Sequence, residues 1–270
     1  MNTDLSPALT ELLAQMERRW RHAPGSLDGA QLTAELREFG LCDRAAGLPA
    51  WELLDEQDWV GLLRGLCRLR PGCAVLLASQ WLGEAVELPP KVAFAMLGAG
   101  DADYWQLRRP LAGDRPEQWS FIAEGRLWRV SVGALRQVGL QSWECRREQA
   151  HAGACARAWA GLYGQARQAL LDGAMAAVWQ STLAHVAART MFNRRMIELP
   201  ALQMRLLGAH ACLQAGRCAP FRLEMEQICG GTGYMAESAS AQALQWLGWA
   251  EDLAAVRAIL PEPNLSVAHA

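Results

Sequence analysis

The sequence predicts a mainly α protein: an N-terminal helical bundle, a reduced β region in the middle and a C-terminal four-helix bundle. Three observations carry this. Apolar residues recur at helical spacing through both ends of the chain, as in Leu9, Leu12, Leu13, Met16 and Trp20, and again in Trp159, Leu162, Ala166, Leu170, Ala174 and Val178. From about Lys91 to Gln149 that period is lost, and Gly98, Gly100, Pro110, Gly113, Pro116, Gly125, Gly133 and Gly139 punctuate short apolar runs. Near the C-terminus a glycine turn, Gly230-Gly231-Thr232-Gly233-Tyr234, separates two more helical patterns.

Each element follows from its punctuation. The Leu9–Trp20 stripe is one helix, stopped by Pro24-Gly25, and Leu32 to Phe39 is a second, closed by Gly40. Trp51 to Leu69 reads as a third, stopped by Pro71-Gly72, and Cys73 to Val86 as a fourth, ending at Pro89-Pro90. Together they make an N-terminal helical domain over 1–90. Residues 91–150 form the reduced β region, with runs such as Trp119 to Ala123 and Leu127 to Val132. Residues 151–270 form the C-terminal bundle. Its long helix runs to about Phe192, Ala201 to Ala215 packs back on it, and the glycine turn leads to a last helix through Leu244, Leu247, Leu253, Val256 and Leu260.

Composition narrows the function. A net charge of −2 offers no basic face for nucleic acid. Eight cysteines are scattered without a C-x-x-C pair or zinc-like histidine spacing, so reduced thiols are expected. No basic start precedes an apolar run, and no stretch of about 20 apolar residues suits a membrane span, so a cytoplasmic location is expected. His185 and His210 sit among apolar helical neighbours and read as packing residues. Trp179, Trp246 and Trp249 read as core or interface residues.

The glycine turn is the chemically informative stretch. Glycines before a helix leave backbone N–H groups open to a phosphate or pyrophosphate, although a helix C-cap with a tight turn would use the same residues. Gln227-Ile228-x-Gly230-Gly231-x-Gly233-Tyr234 resembles the C-terminal flavin-contacting motif of the acyl-CoA dehydrogenase family. Arg189-Thr190-Met191-Phe192-Asn193, followed by Gln203, resembles a second segment of that family, Arg-x-x-Phe-Gly with its later glutamine. Glu38-Phe39-Gly40-Leu41 and Arg68-Leu69-Arg70-Pro71 are similar to turns of its N-terminal domain.

The resemblance, to a shortened and divergent member, implies FAD contacted by Arg189, Phe192, Gln203, Gln227, Gly230, Gly231, Gly233 and Tyr234. It implies an acyl-CoA or other acyl thioester substrate, dehydrogenated between Cα and Cβ, and an oligomer in which Arg189 reaches the FAD of a neighbouring subunit. The departures are specific. Asn193 replaces the family glycine, Pro200 replaces a flavin-contacting glutamine, and the middle signature is traceable only in Leu97-Gly98-Ala99-Gly100-Asp101. The two family positions for the catalytic acid fall on Ala254 and Tyr163, which leaves Glu251, beside Asp252, as the nearest substitute. Three readings follow: an FAD-dependent dehydrogenase with Glu251 as base, a non-catalytic partner subunit of a full-length acyl-CoA dehydrogenase, or a flavin-dependent oxygenase of the same fold.

Overall fold

The computed structural model describes residues 5–20, 29–42, 44–45, 48–49, 54–89, 91–98, 101–109, 116–139, 142–235 and 238–255. Helix α1 (Pro7–Trp20) buries the expected stripe of Leu9, Leu13, Met16 and Trp20. Helix α2 (Gly29–Glu38) ends where Gly40 takes a φ of 71°, with Gly40 N–H donating to Arg37 O and Leu41 N–H to Leu36 O. That pair of bonds is a glycine C-cap, the predicted stop. Two short strands, β1 (Arg44–Ala45) and β2 (Leu48–Pro49), then pair antiparallel.

Helix α3 (Glu56–Leu69) starts later than the apolar pattern suggested, because the Asp55 carboxylate accepts from the Asp58 N–H at 2.8 Å and caps it. Positions 51–53 of the expected helix lie outside the described residues. Helix α4 (Pro71–Ala85) opens on a proline whose missing N–H costs nothing there, and every residue from Gly72 to Ser79 is buried. The long helix α5 (Ala160–Ala188) packs against α3 and also touches α4. Gly173 sets that α3–α5 crossing, since a Cβ there would sit 2.5 Å from Arg64 O and 2.6 Å from the Cys67 Cβ. The Cys67 thiol donates to Leu170 O at 3.1 Å across the same contact.

The β region forms two four-stranded sheets. One runs in the order β10 (Ala150–Cys155), β7 (Arg126–Ser131), β6 (Gln118–Ala123), β3 (Val92–Phe94), and the other β4 (Met96–Leu97), β5 (Tyr104–Arg108), β9 (Ser142–Arg146), β8 (Arg136–Gly139). All pairs are antiparallel except β3 with β6. Between them lies a core rich in tryptophan. Trp105 meets Phe121 edge-on at 5.0 Å and Trp128 at 4.5 Å, and Trp119 meets Trp143 at 5.4 Å. Positions 151–155, placed by the sequence in the C-terminal bundle, belong instead to β10.

Helix α5 is 29 residues long and stops at Ala188, not at Phe192. After it come α6 (Pro200–Gln214), α7 (Cys218–Cys229) and α8 (Ala239–Ala255), which complete the expected four-helix C-terminal assembly. Gly216, at a φ of 64°, breaks α6 from α7, and Pro220 falls in the first turn of α7 where proline is tolerated. The expectation that the α6 segment packs back on the long helix is corrected. Its main neighbour is α7, tied by Arg205 to Glu224 at 3.0 Å, and it touches α5 through His210 beside Trp179. Val256 and Leu260 of the expected last helix lie outside the described residues.

Candidate functional site

The segment after α5 builds an exposed finger. Arg189 is extended (φ −89°, ψ 139°), its N–H donating to His185 O and its carbonyl accepting from the Met196 N–H at 2.8 Å. Strands β11 (Thr190–Met191) and β12 (Arg194–Arg195) pair antiparallel with Thr190 opposite Arg195 and Met191 opposite Arg194. That register leaves Phe192 and Asn193 as a two-residue turn, with φ of 52° and 63°. Asparagine tolerates this region well, whereas a bulky residue is strained there, by about 1–2 kcal/mol. The Phe192 side chain is nevertheless 83% exposed, and Arg189, Arg194 and Arg195 around it are exposed too. The expected helical setting of Arg189 and Phe192 is therefore replaced by a basic hairpin tipped by an aromatic ring.

The glycine turn follows α7. Gly230 takes φ 52° and ψ −139°, and its N–H donates to Glu226 O, so it is the C-cap of α7. The turn continues as a 3-10 segment through Tyr234. A Cβ on Gly233 would meet the Cys229 Cβ at 3.2 Å and Leu244 Cδ1 at 3.3 Å, whereas one on Gly231 would meet nothing within 4 Å. Two glycines thus serve backbone geometry and helix packing, and Gly231 alone presents open, exposed backbone. The turn does not open directly onto α8. Ser238 lies between them, its hydroxyl accepting from the Ala241 N–H at 3.0 Å, so the first turn of α8 already has a side-chain cap.

The glutamines are engaged locally. Gln227 is exposed, and its side-chain oxygen accepts from the Arg205 guanidinium. Gln203 is also exposed and donates to Ile197 O at 3.1 Å, bracing the chain that leaves the hairpin. The hairpin and turn share one end of the bundle, because the Thr182 hydroxyl on α5 meets the Cys229 thiol at 3.4 Å. Arg189 lies two helical turns past Thr182, about 10 Å along the axis.

Glu251 lies on α8 and is paired with Arg222 Nη1 at 2.9 Å; the same guanidinium holds Glu226 at 2.8 Å. The two carboxylates raise the Arg222 pKa and hold its cation in place. Burial, reinforced by Glu251, pushes the neighbouring Cys218 thiol up to about 12. Tyr163, at the other candidate acid position, is fully buried with its hydroxyl accepting the Leu97 N–H at 2.9 Å. The seam between α3, α4 and α5 is filled by Trp59, Trp81 and Leu162, leaving a cavity of about 10 Å³. An acyl chain has no room in that seam.

Sequence reasoning missed Arg205, Arg222 and Asp252. The Arg222–Glu226 pair was legible as an i,i+4 spacing. The Arg108–Asp252 pair at 3.3 Å, with Arg108 stacked over Trp249, joins β5 to α8 and has no local signature.

Tested against FAD, these residues do not enclose a flavin within one chain. Gln227 and Gln203 are occupied, Gly230 caps α7, Gly233 packs, and Glu251 is ion-paired. The exposed arginines of the hairpin and the open Gly231 backbone are groups of the kind that suit phosphate oxygens.

No family model matches the chain, and no curated protein matches it by sequence. Solved structures do. A glutaryl-CoA dehydrogenase from Mycobacterium smegmatis in complex with FADH2 is similar at a TM-score of 0.61 and 12% identity, over 92% of this chain and 93% of that one. The ChsE4–ChsE5 complex from Mycobacterium tuberculosis is similar at 0.60 and 13%, over 93% and 94%. Butyryl-CoA dehydrogenase from Megasphaera elsdenii is similar at 0.55 and 11%, over 96% and 98%. At these identities the likeness is one of fold.

Proposed function

Proceeding from the acyl-CoA dehydrogenase fold, we propose that this chain is a non-catalytic subunit of a heteromeric, acyl-CoA dehydrogenase-type flavoprotein. It offers its hairpin, Arg189 to Arg195, to FAD held largely by a full-length partner subunit, and residues 151–270 are the part that makes the contact. The observation that carries the reading is the exposed, strained hairpin: a phenylalanine held at positive φ with its ring in solvent, flanked by three exposed arginines. Strain of this kind persists where the exposed geometry is used. Guanidinium forks suit pyrophosphate oxygens, and an exposed aromatic suits a ring or an apolar contact on the partner.

The rest of the geometry argues against independent dehydrogenation by this chain. A base must be placed to take the α proton, and Glu251 is instead committed to Arg222. The seam between the long helices is closed. Among the similar folds, the ChsE4–ChsE5 complex is an assembly of two different named chains, which supports a heteromeric reading here.

The test is size-exclusion chromatography with visible absorbance recorded across the peak. The chain expressed alone is expected to be colourless, and co-expression with a full-length acyl-CoA dehydrogenase-type subunit to give one yellow complex. Arg189→Ala should lower the flavin content of that complex. A chain that elutes alone with flavin near one per chain and oxidises acyl-CoA, with turnover abolished by Glu251→Gln, would overturn the proposal in favour of the autonomous enzyme.

A further inference from the structure

Helix α6 is apolar on two sides and covered on one. Leu206, Ala209 and Leu213 are buried, and the main neighbour of the helix is α7. The other side carries Ala201, Met204, Gly208 and Ala211, which recur at three- and four-residue intervals, with Leu207 beside them. Met204 is 69% exposed and Leu207 63%, whereas a helix that is hydrophobic all round is normally buried all round. Of the seven large apolar side chains exposed among the described residues, six lie between Met191 and Met235. The uncovered apolar surface is therefore concentrated around α6 and α7, as at an interaction site, and not scattered singly.

Two charges identify what covers the stripe. Glu198 ends the 3-10 turn just before α6, and Arg217 stands just after α6. Both are exposed, and neither side chain is ion-paired among the described residues. Glu198 is ten residues before Gly208 and Arg217 nine after it. A second α6 turned end for end about Gly208 therefore sets each arginine opposite the other copy's glutamate, about 14 Å from the centre of the crossing. A parallel pairing would set like charges together. At the centre, a Cβ on Gly208 would meet nothing within 4 Å, and Ala211 is small and exposed, so two helix backbones can approach closely there.

We infer that the exposed face of α6 is a self-association surface. Two copies of this chain pair antiparallel through Met204, Leu207 and Ala211 about a two-fold axis at Gly208, and each end is closed by Glu198 of one copy and Arg217 of the other. The same patch serves both copies, so the contact closes at two. No residue of the hairpin Arg189 to Arg195 takes part, and the inference stands apart from the flavin reading. A pair of helices of 15 residues makes a small interface, so the dimer is expected to dissociate on dilution to about micromolar concentration.

The experiment is sedimentation velocity on the purified full chain from about 1 to 200 μM, with no other subunit present. A reversible equilibrium between monomer and dimer is expected. Leu207→Glu should hold the chain monomeric throughout, and its melting temperature should match that of the parent at a dilution where both are monomers. Glu198→Arg and Arg217→Glu should each weaken dimerisation by about tenfold, because the two-fold axis makes two like-charge contacts at once. The double variant Glu198→Arg/Arg217→Glu restores both pairs and should dimerise as the parent does, and mixing the two single variants should also recover the dimer. The inference is overturned if the chain is monomeric at every concentration, if Leu207→Glu dimerises as the parent does, if either single charge variant is unaffected, or if the double variant fails to recover. A monomer whose amides at 200–215 become protected from exchange only when a full-length acyl-CoA dehydrogenase-type subunit is added would give the face to that unlike subunit instead.

Discussion

Replacing each glycine of the turn by alanine separates three physical roles that the motif runs together. Gly230 holds φ 52° and ψ −139°, a region open to glycine and strained for any L residue by about 1–3 kcal/mol. A Cβ there meets nothing within 4 Å, so the penalty is in the backbone alone. Against it stands the stiffer unfolded chain of any Gly→Ala change, worth about 0.4–1 kcal/mol in the opposite direction. Gly230→Ala should therefore destabilise by about 1–2 kcal/mol, a melting shift of about 2–4 °C for a chain of this size. Gly231→Ala shares the unfolded-state gain, has an open Cβ position and carries no positive φ, so it should be neutral or slightly stabilising. The difference between the two variants isolates the strain, because the unfolded-state contribution cancels. Gly233→Ala should cost about 1 kcal/mol through its 3.2 Å approach to the Cys229 Cβ. Urea denaturation followed by tryptophan fluorescence reads all three as shifts in midpoint at constant slope. Equal stability of Gly230→Ala and Gly231→Ala would refute the assignment of Gly230 as a conformational cap. In the co-expressed complex, a loss of flavin confined to Gly231→Ala would single out the open backbone as the contact.

Two further outcomes follow from the same geometry. Tyr163→Phe leaves the buried Leu97 N–H without its acceptor and should destabilise by about 1–3 kcal/mol in the same denaturation assay; an unchanged midpoint would remove that bond as a link between α5 and the β region. His185 has its pKa lowered from the ordinary 6.5, first by burial and then by the nearby Arg189 cation. A lowered folded-state value means the unfolded chain takes up the proton first, so this contribution falls away as pH drops below about 6.5 and levels off beneath the folded value. Arg189→Ala should raise the His185 pKa read by NMR, and so should engagement of Arg189 by a pyrophosphate; an unmoved titration in Arg189→Ala would show that the two side chains are uncoupled.

Much of the fold was legible because it is written in local chemistry. The stripe of α1, the Gly40 stop of α2, the Pro71 start of α4 and the loss of helical period at residue 91 all depend on near neighbours in the chain. The long-helix pattern was legible too, but its end was not: apolar spacing continues through Met191 and Phe192, and only the pairing of Thr190 with Arg195 turns those residues into a hairpin. The stop of α6 was legible just before Gly216, but the separate helix α7 that begins at Cys218 was not.

The candidate site divides the same way. Sequence by itself determined which residue types stand at Arg189, Phe192, Gln227 and the glycine turn, and that no acid occupies positions 163 or 254, because these are matters of identity and spacing. Only the tertiary structure decided that Glu251 is spent on Arg222, that Gln227 is held by Arg205, and that Gly233 is a packing glycine. It also decided that Leu76 and Val92, on α4 and β3, line one cleft. Ion pairs, close approaches and cavities form between elements distant in the chain, and no local periodicity encodes which distant residue completes them.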